Sequence, residues 1–464
     1  MNQDPRHSPP SPLWVGQHVD VTIDGLARDG RGTVWVGERL LHVASTLPGD
    51  DAWVRITALD RHGDRAHGVL VALRGRGPGR RTPPCPQHED VRTQGCTGCA
   101  WMPWRPAEQR QHLRALLAAH DLTVSEVAWV GDGDARHDDG ACGYRWSAKR
   151  VAFQDASGVL RLGSYRARSH HGAAMTGCLV DHPTLRAVSD EVETVAQDLR
   201  VRAWRAPRRG AGGTPGLRYI WLKTDGERVL LTLITGGLDE AEVRELADGL
   251  SLPAGVAWSV QDGQGNSMRG SAPVTLRGVA ELQVSICGQT VPVGPLGFLQ
   301  PNPAVAARCY EALVRVDDAG AEVAAATTLA LDLYAGAGVT TALLRRRFDE
   351  VHPCESWPES AALLGVPPQK TAAFLAGWLA SRKPAPDLIV ANPPRAGMGA
   401  AVTRALLALA APRVHVMSCS PKSLSADLDA LSDHYDVVSL QAWATLPQTP
   451  HVEVVARLQL RSTS

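Results

Sequence analysis

The 464-residue chain carries 48 Lys or Arg against 48 Asp or Glu, and its length allows two to four domains, each with its own core. An even total excludes a histone-like polyanion binder, yet residues 141–225 hold fourteen Arg or Lys against seven Asp or Glu, a local surplus suited to phosphate. Nine cysteines without a basic-then-apolar leader speak against a disulfide framework, and no uncharged apolar run reaches the roughly 18 residues of a membrane span, so a cytoplasmic chain with reduced or metal-bound thiols is expected.

Residues 1–12, rich in Pro and polar residues, read as a disordered tail. From 13 to 74, short alternating runs such as "HVDVTIDGL", "GTVWV" and "AWVRITAL" lie between Gly, Asp and Pro-Gly turns, which predicts a small five-stranded β-barrel. The Gly, Pro and Arg run "RGRGPGRRTPPCP" closes it and opens a stretch of fifteen residues with three cysteines, Cys85, Cys96 and Cys99. Residues 75–290 mix the strand candidates "KRVAF", "YIWLKT", "RVLLTLIT" and "GVAWSV" with the helical "TLRAVSDEVETVAQDLR", a central α/β domain. Residues 291–464 alternate strands and helices from "LALDLYAGAGVTTALLRRRF" through "PDLIVANPP" to "RVHVMSC", the pattern of a doubly wound parallel sheet. The tail "YDVVSLQAWATLPQTPHVEVVARLQL" holds two strand patterns without a helix between them, hence an antiparallel hairpin on the sheet's edge.

Chemistry-bearing residues collect at the expected carboxyl ends of these strands. Gly336 and Gly338 permit close backbone approach to a ligand, and Glu355, 19 residues beyond Gly336, stands where a carboxylate accepts hydrogen bonds from ribose hydroxyls. A Gly turn beside an unrelated surface Glu is the plain alternative. Asn392 precedes two prolines that end pairing and stiffen the chain; a simple strand-terminating turn would look the same. Cys419 follows an apolar strand, with Ser420 and Pro421 as N-cap and first helical residue, so the helix dipole is expected to favour its thiolate. Taken singly it would be a buried structural cysteine.

Together these segments resemble the uracil-C5 RNA methyltransferases that make 5-methyluridine in ribosomal and transfer RNA. "LGFLQPNPAVAARCYEAL" is similar to the family's Phe-Gln-x-Asn segment, "LDLYAGAGVTT" to its methyl-donor loop, "NPPRAG" to its Asp-Pro-Pro-Arg-x-Gly box, "SCSP" to its nucleophile motif and "PQTPHVEVVARL" to its base motif, in the family's order. Residues 14–73 resemble the TRAM barrel that many members use to bind RNA. The resemblance implies a class I methyltransferase (Rossmann-like) sheet behind an OB-like TRAM barrel and a central α/β domain. It implies S-adenosylmethionine as cofactor, Cys419 as nucleophile and Glu453 as base. Gln300, Tyr334, Gly336, Gly338, Glu355 and Asn392 would then contact the methyl donor or the reacting pair. Outside its motif, Glu453 would read as an exposed strand carboxylate.

The same resemblance implies that Cys85, Cys96, Cys99 and the distant Cys178 bind a [4Fe-4S] cluster, with zinc second and unligated thiols third. The gap between Cys85 and Cys96 is longer than the family's, and Cys142 is a possible substitute ligand; Cys287, Cys309 and Cys354 read as core or partly buried thiols. Two further features depart from the family. Asn392 replaces its Asp, and only 31 residues separate Glu355 from Asp387, too few for a helix, strand and helix. The basic central segment, with Tyr144, Trp146, Tyr165, Trp204, Tyr219 and Trp221 interleaved, suits either phosphates and stacked bases or core aromatics beside a solvated face. The function expected is methylation of uridine C5 in RNA by a monomer, with 23S ribosomal RNA favoured by analogy and transfer RNA second. The competing reading is a non-catalytic RNA-binding protein that keeps the scaffold.

Overall fold

The computed structural model describes residues 12–88, 95–129, 141–166, 169, 171–207, 213–263, 265, 267–316 and 328–462. It divides into two compact units: one runs up to Gln109 and includes residues 162–178 and 448–450, and the other holds residues 110–161, 179–447 and 451 onward. The expected tail, residues 1–12, falls almost wholly outside the described residues.

In the first unit the alternating runs form a six-stranded sheet in the order His18–Thr22, Asp51–Leu59, Arg65–Gly75, Arg39–Val43, Gly32–Val36, Gly25–Leu26. Its first and last strands are successive parts of one extended run, so the sheet curls back on itself and closes. Ala52, Val54 and Ile56 alternate inward onto Ile23, Leu41, Val43 and Ala66, which is the period-2 pattern of the sequence realised as a core. The sixth strand has two residues, too few to register as alternation. Where the chain leaves the barrel, buried Asp50 accepts the backbone N–H groups of Leu47 (2.7 Å) and Gly77 (2.9 Å) and pairs with the Arg80 guanidinium.

The second unit contains a central sheet, a two-stranded sheet of Leu282–Ile286 with Gln289–Val293, and a carboxyl-terminal sheet. The central one pairs Ser147–Gln154, Gly216–Thr224, Val229–Gly236, Gly255–Val260 and Val274–Gly278 in that order, with the Val229–Gly236 and Gly255–Val260 pair parallel. The helix Pro183–Asp198 buries Leu185, Val188, Val192 and Ala196. A second helix, Glu240–Asp248, not anticipated from periodicity, starts at a reciprocal cap between Asp239 and Glu242.

The carboxyl-terminal sheet runs Glu350–Cys354, Leu329–Leu333, Leu388–Ala391, Arg413–Ser418, Glu453–Leu460, Tyr435–Trp443, Val127–Ala128. Its first four strands are mutually parallel, and the two inner ones, Leu329–Leu333 and Leu388–Ala391, are buried along their whole length, as a sheet covered on both faces requires. The expected hairpin is antiparallel, with its second strand inserted beside Arg413–Ser418. The outermost position belongs to Val127–Ala128, a two-residue strand from far upstream. Residues 355–387 hold the helices Pro358–Leu364 and Thr371–Ala380 and no strand, so the sheet ends at Glu350–Cys354 on that side. No helix among the described residues is long and apolar enough to cross a membrane.

Replacing Asp50 by Ala leaves the buried Arg80 cation unpaired and two N–H groups unsatisfied. Asp50→Ala is therefore expected to cost about 3–5 kcal/mol, seen in calorimetry as an earlier transition; an unchanged thermogram would contradict that role.

Candidate active site

Parallel pairing sets the carboxyl ends of four strands level. Leu333 lies opposite both Cys354 and Ala391, and Ala391 opposite Val416, so the residues that follow each strand emerge along one edge. That edge gathers Tyr334 to Gly338, Glu355, Asn392 and Cys419.

The turn after Leu333 is held from below. Asp332 is buried and accepts hydrogen bonds from Thr340 Oγ1 (2.8 Å) and Thr341 Oγ1 (2.6 Å), which ties the strand to the first turn of the helix Val339–Leu344. Burial pushes its carboxyl up to about 6 despite these bonds. The loop they anchor is unusual: Tyr334 has φ +60°, Gly336 +57° and Gly338 +89°. A non-glycine residue in the left-handed region is a strained position, retained where the surroundings over-determine it. A Cβ on Gly336 would meet nothing within 4 Å, so the loop fronts open space that a ligand can enter. Glu355 Oε2 accepts from Gly336 N (2.9 Å) and Oε1 from Ser356 N and Trp357 N (both 2.6 Å), fixing the carboxylate at the loop. On the side where the sheet lacks a strand, Gln369 N donates to Glu355 O (2.8 Å) and Thr371 hydrogen-bonds the side chains of Tyr334 and Cys354. The segment before the helix Thr371–Ala380 thus forms the wall there.

Cys419 and Glu453 meet through register. The antiparallel ladder between Arg413–Ser418 and Glu453–Leu460 ends at Ser418 opposite Val454, and Cys419 and Glu453 are the next residues at its open end. Ser420 caps the helix Pro421–Leu431 by accepting from Ser423 N (3.4 Å), with Pro421 in the first turn, as the spacing predicts. The expected depression of the Cys419 thiol is not what the surroundings give. Burial and the neighbouring Glu453 carboxyl raise it above the ordinary value. Arg395 opposes the rise through a side-chain hydrogen bond and its charge. Glu453 is 6% exposed, and burial drives its carboxyl up to about 8, again countered by Arg395.

Arg395 lies within "NPPRAG", where sequence spacing alone gives it no role. Its loop is locked to the helix after Cys419: Ser423 Oγ donates to Arg395 O (2.7 Å), and Asp427 accepts from Met398 N (2.9 Å). Gly397 is at φ +82°, and a Cβ there would approach Asp427 Oδ2 to 2.7 Å. Asn392 continues the ladder by donating its N–H to Leu333 O (3.3 Å). Gln300 hydrogen-bonds the buried Tyr310 hydroxyl, which itself feels Glu453, and Asn302 caps the next helix and donates to Thr445 O (3.1 Å). Phe298, at the head of the same segment, is 67% exposed.

Cys85, Cys96, Cys99 and Cys178 belong to the other unit and form no disulfide. Among the described residues no group of three or more His, Cys, Asp or Glu is placed to hold a metal ion. Cys96 Sγ accepts from Gly98 N (3.3 Å). Cys309 and Cys354 are buried and Cys287 half-buried, consistent with their reading as packing thiols. Of the aromatics offered for base stacking, Tyr144, Tyr219 and Trp221 are buried and closed to a base; Tyr165 is exposed.

No family model matches the chain. It is similar to proteins named uncharacterized RNA methyltransferases from Nostoc sp. (28% identity; 96% of this chain, 97% of the relative) and Gloeobacter violaceus (28%; 97% and 98%). Among solved structures it is similar to the Pyrococcus abyssi tRNA (uracil-54, C5)-methyltransferase in complex with S-adenosyl-L-homocysteine, with a TM-score of 0.70, 19% identity, and coverage of 95% of this chain and 99% of that one.

The thiol geometry predicts reactivity. Followed by peptide mass spectrometry, alkylation of Cys419 should be slow at neutral pH and slower still in Arg395→Gln, and above about pH 8, where Glu453 ionises, faster in Glu453→Gln than in the native chain; the reverse order would contradict the assigned charges. In fold, the chain is α/β and ends in a class I, Rossmann-like methyltransferase sheet.

Proposed function

We propose that the chain methylates C5 of a uridine in RNA, taking the methyl group from S-adenosylmethionine, through a transient bond between Cys419 and C6 of the base. The observation that carries this reading is the placement of Cys419 and Glu453 as successors on one ladder, with Arg395 acting on both. Full-length likeness to proteins named RNA methyltransferases supports RNA as the substrate class.

The residues fit the methyl donor. Gly336 leaves its approach open, Glu355 faces the loop, and Tyr334 and Thr371 wall the other side. When bound, the donor supplies an electrophilic sulfonium methyl group. Uracil C5 is too weakly nucleophilic to take that methyl unaided, so Cys419 first loses its proton to solvent and its thiolate adds to C6, moving electron density toward C5 and O4. Arg395 stabilises the thiolate before attack. After C5 has gained its methyl group, the Glu453 carboxylate removes the C5 proton, and the electron pair left behind expels Cys419 and restores the ring. Gln300, held by Tyr310, and Asn392, at the strand edge, are assigned to orient the donor and the base.

Within this proposal residues 13–74 act as a TRAM-like RNA-binding barrel, 75–290 as the RNA-binding middle domain and 291–464 as the catalytic domain, in a cytoplasmic monomer. 23S ribosomal RNA stands ahead of transfer RNA as substrate. A metal at Cys85, Cys96, Cys99 and Cys178 is a separate claim that iron, sulfide and zinc analysis of anaerobically purified protein decides. The second reading, RNA binding without turnover, is favoured by Asn392 in place of a carboxylate and by the shortened segment after Glu355.

Two experiments test the proposal. Incubation with 5-fluorouridine-containing RNA and S-adenosylmethionine should yield a covalent protein–RNA adduct in the native chain and none in Cys419→Ala; failure of the native chain to form it rejects the mechanism in favour of binding alone. Because Glu453 must be ionised and its carboxyl is held up to about 8, turnover should rise as pH passes through that value. A rate flat from neutral pH upward would remove Glu453 from the role of base.

A further inference from the structure

Three cations converge on one indole in the central sheet. Lys149 is the cross-strand partner of Trp221, and Lys223 lies two residues beyond it on the same face. Lys149 Nζ stands 3.8 Å and Lys223 Nζ 4.3 Å from the Trp221 ring centre, and the Arg269 guanidinium lies 5.9 Å away. No carboxylate pairs with any of the three among the described residues.

Their neighbours supply only neutral oxygens. Lys223, fully buried, donates to Gly294 O (2.9 Å) and Pro295 O, and Arg269 Nη2 donates to Leu296 O (2.9 Å). Lys149 is exposed and Arg269 half-buried, so two of the cations face solvent above the third. The cost of gathering them shows in their chemistry. Burial, then the charges of Lys149 and Arg269, drive the Lys223 ammonium well below its usual range, and Lys149 is lowered by burial and by Arg269. A cluster that repels itself in this way is relieved by an anion.

Arg269 also connects the cluster to the donor site. Its guanidinium sits 4.6 Å from the ring centre of Trp357, which is 47% exposed and whose backbone N–H is held by Glu355. We propose that Lys149 and Arg269, above the buried Lys223, form a phosphodiester-binding site for the RNA strand flanking the uridine, beside the open indole of Trp357 on which an unpaired base can stack. The site rests on the proposed RNA substrate. It adds to that reading the place where the backbone is gripped, on the central sheet. Cation–π contacts keep Lys149 and Arg269 extended over indole surface, which lowers the ordering cost when phosphate arrives.

The test uses the full chain, a fluorescent single-stranded oligoribonucleotide containing uridine, and a salt series, with S-adenosylhomocysteine affinity measured separately by calorimetry. Lys149→Gln combined with Arg269→Gln should weaken RNA binding by about tenfold or more and flatten the slope of log affinity against log salt by about 1 for each cation removed. S-adenosylhomocysteine binding should be unchanged, and Lys149→Arg should bind RNA as the native chain does. Unchanged RNA affinity and slope in the double variant, while the native chain binds RNA normally, would overturn this site and leave the proposed function standing. Loss of S-adenosylhomocysteine affinity with RNA binding intact would overturn it in favour of a donor-side anion. Absence of salt-dependent RNA binding by the native chain would overturn both the site and the RNA reading.

Discussion

Antiparallel pairing between Arg413–Ser418 and Glu453–Leu460 is the constraint from which the candidate chemistry follows, because it brings a thiol and a carboxyl group from separate chain segments to adjacent positions at a sheet's end. Both groups are drawn toward their neutral forms by burial, and the same low-dielectric setting strengthens the influence of Arg395 on each. At neutral pH both groups are therefore held largely protonated. In the proposed reaction, activation of the thiol rests on that cation, and the cation depends on its loop. Ser423 and Asp427 fasten that loop to the helix that begins two residues after Cys419, so the position of Arg395 and the position of the thiol are set by one helix.

A second constraint acts on the donor side. Asp332 lies beneath the glycine turn, joined to Thr340 and Thr341, and holds strand and helix at the separation that leaves Tyr334 at positive φ. Glu355 then closes the turn from the neighbouring strand through Gly336 N. The missing strand after Glu355 does not open this arrangement, because the chain before Thr371 returns to Glu355, Cys354 and Tyr334 and rebuilds the wall with a backbone N–H and one hydroxyl. What differs is polarity: the wall offers neutral groups.

Local chemistry was readable from the sequence where a few consecutive residues decide it. Ser420 and Pro421 announced a helix start because capping needs only an oxygen and a missing N–H, and the alternation of "AWVRITAL" announced a barrel strand because every second residue had to face inward. Long-range effects were not readable. The direction of the Cys419 shift turned on burial and on Glu453, neither of which a helix-dipole argument contains. Trp221 looked available to a base because it stands among basic residues, yet Lys149 and Lys223 crowd it and it is buried. Val127–Ala128 is two residues long and carries no period at all. Asp332 and Arg395 stood inside quoted motifs, but their partners lie in other segments, so spacing alone gave them no role.

In the proposed reaction a carbon–hydrogen bond at uridine C5 breaks through the action of the Cys419 and Glu453 pair. RNA carrying tritium at uridine C5, incubated with the chain and S-adenosylmethionine, measures this directly. Tritium should be released to water one-for-one with methyl groups transferred, and Glu453→Gln should accumulate methylated, cysteine-bound RNA that retains its label. Methyl transfer without tritium release in the native chain would place the methyl group on another atom and contradict the account.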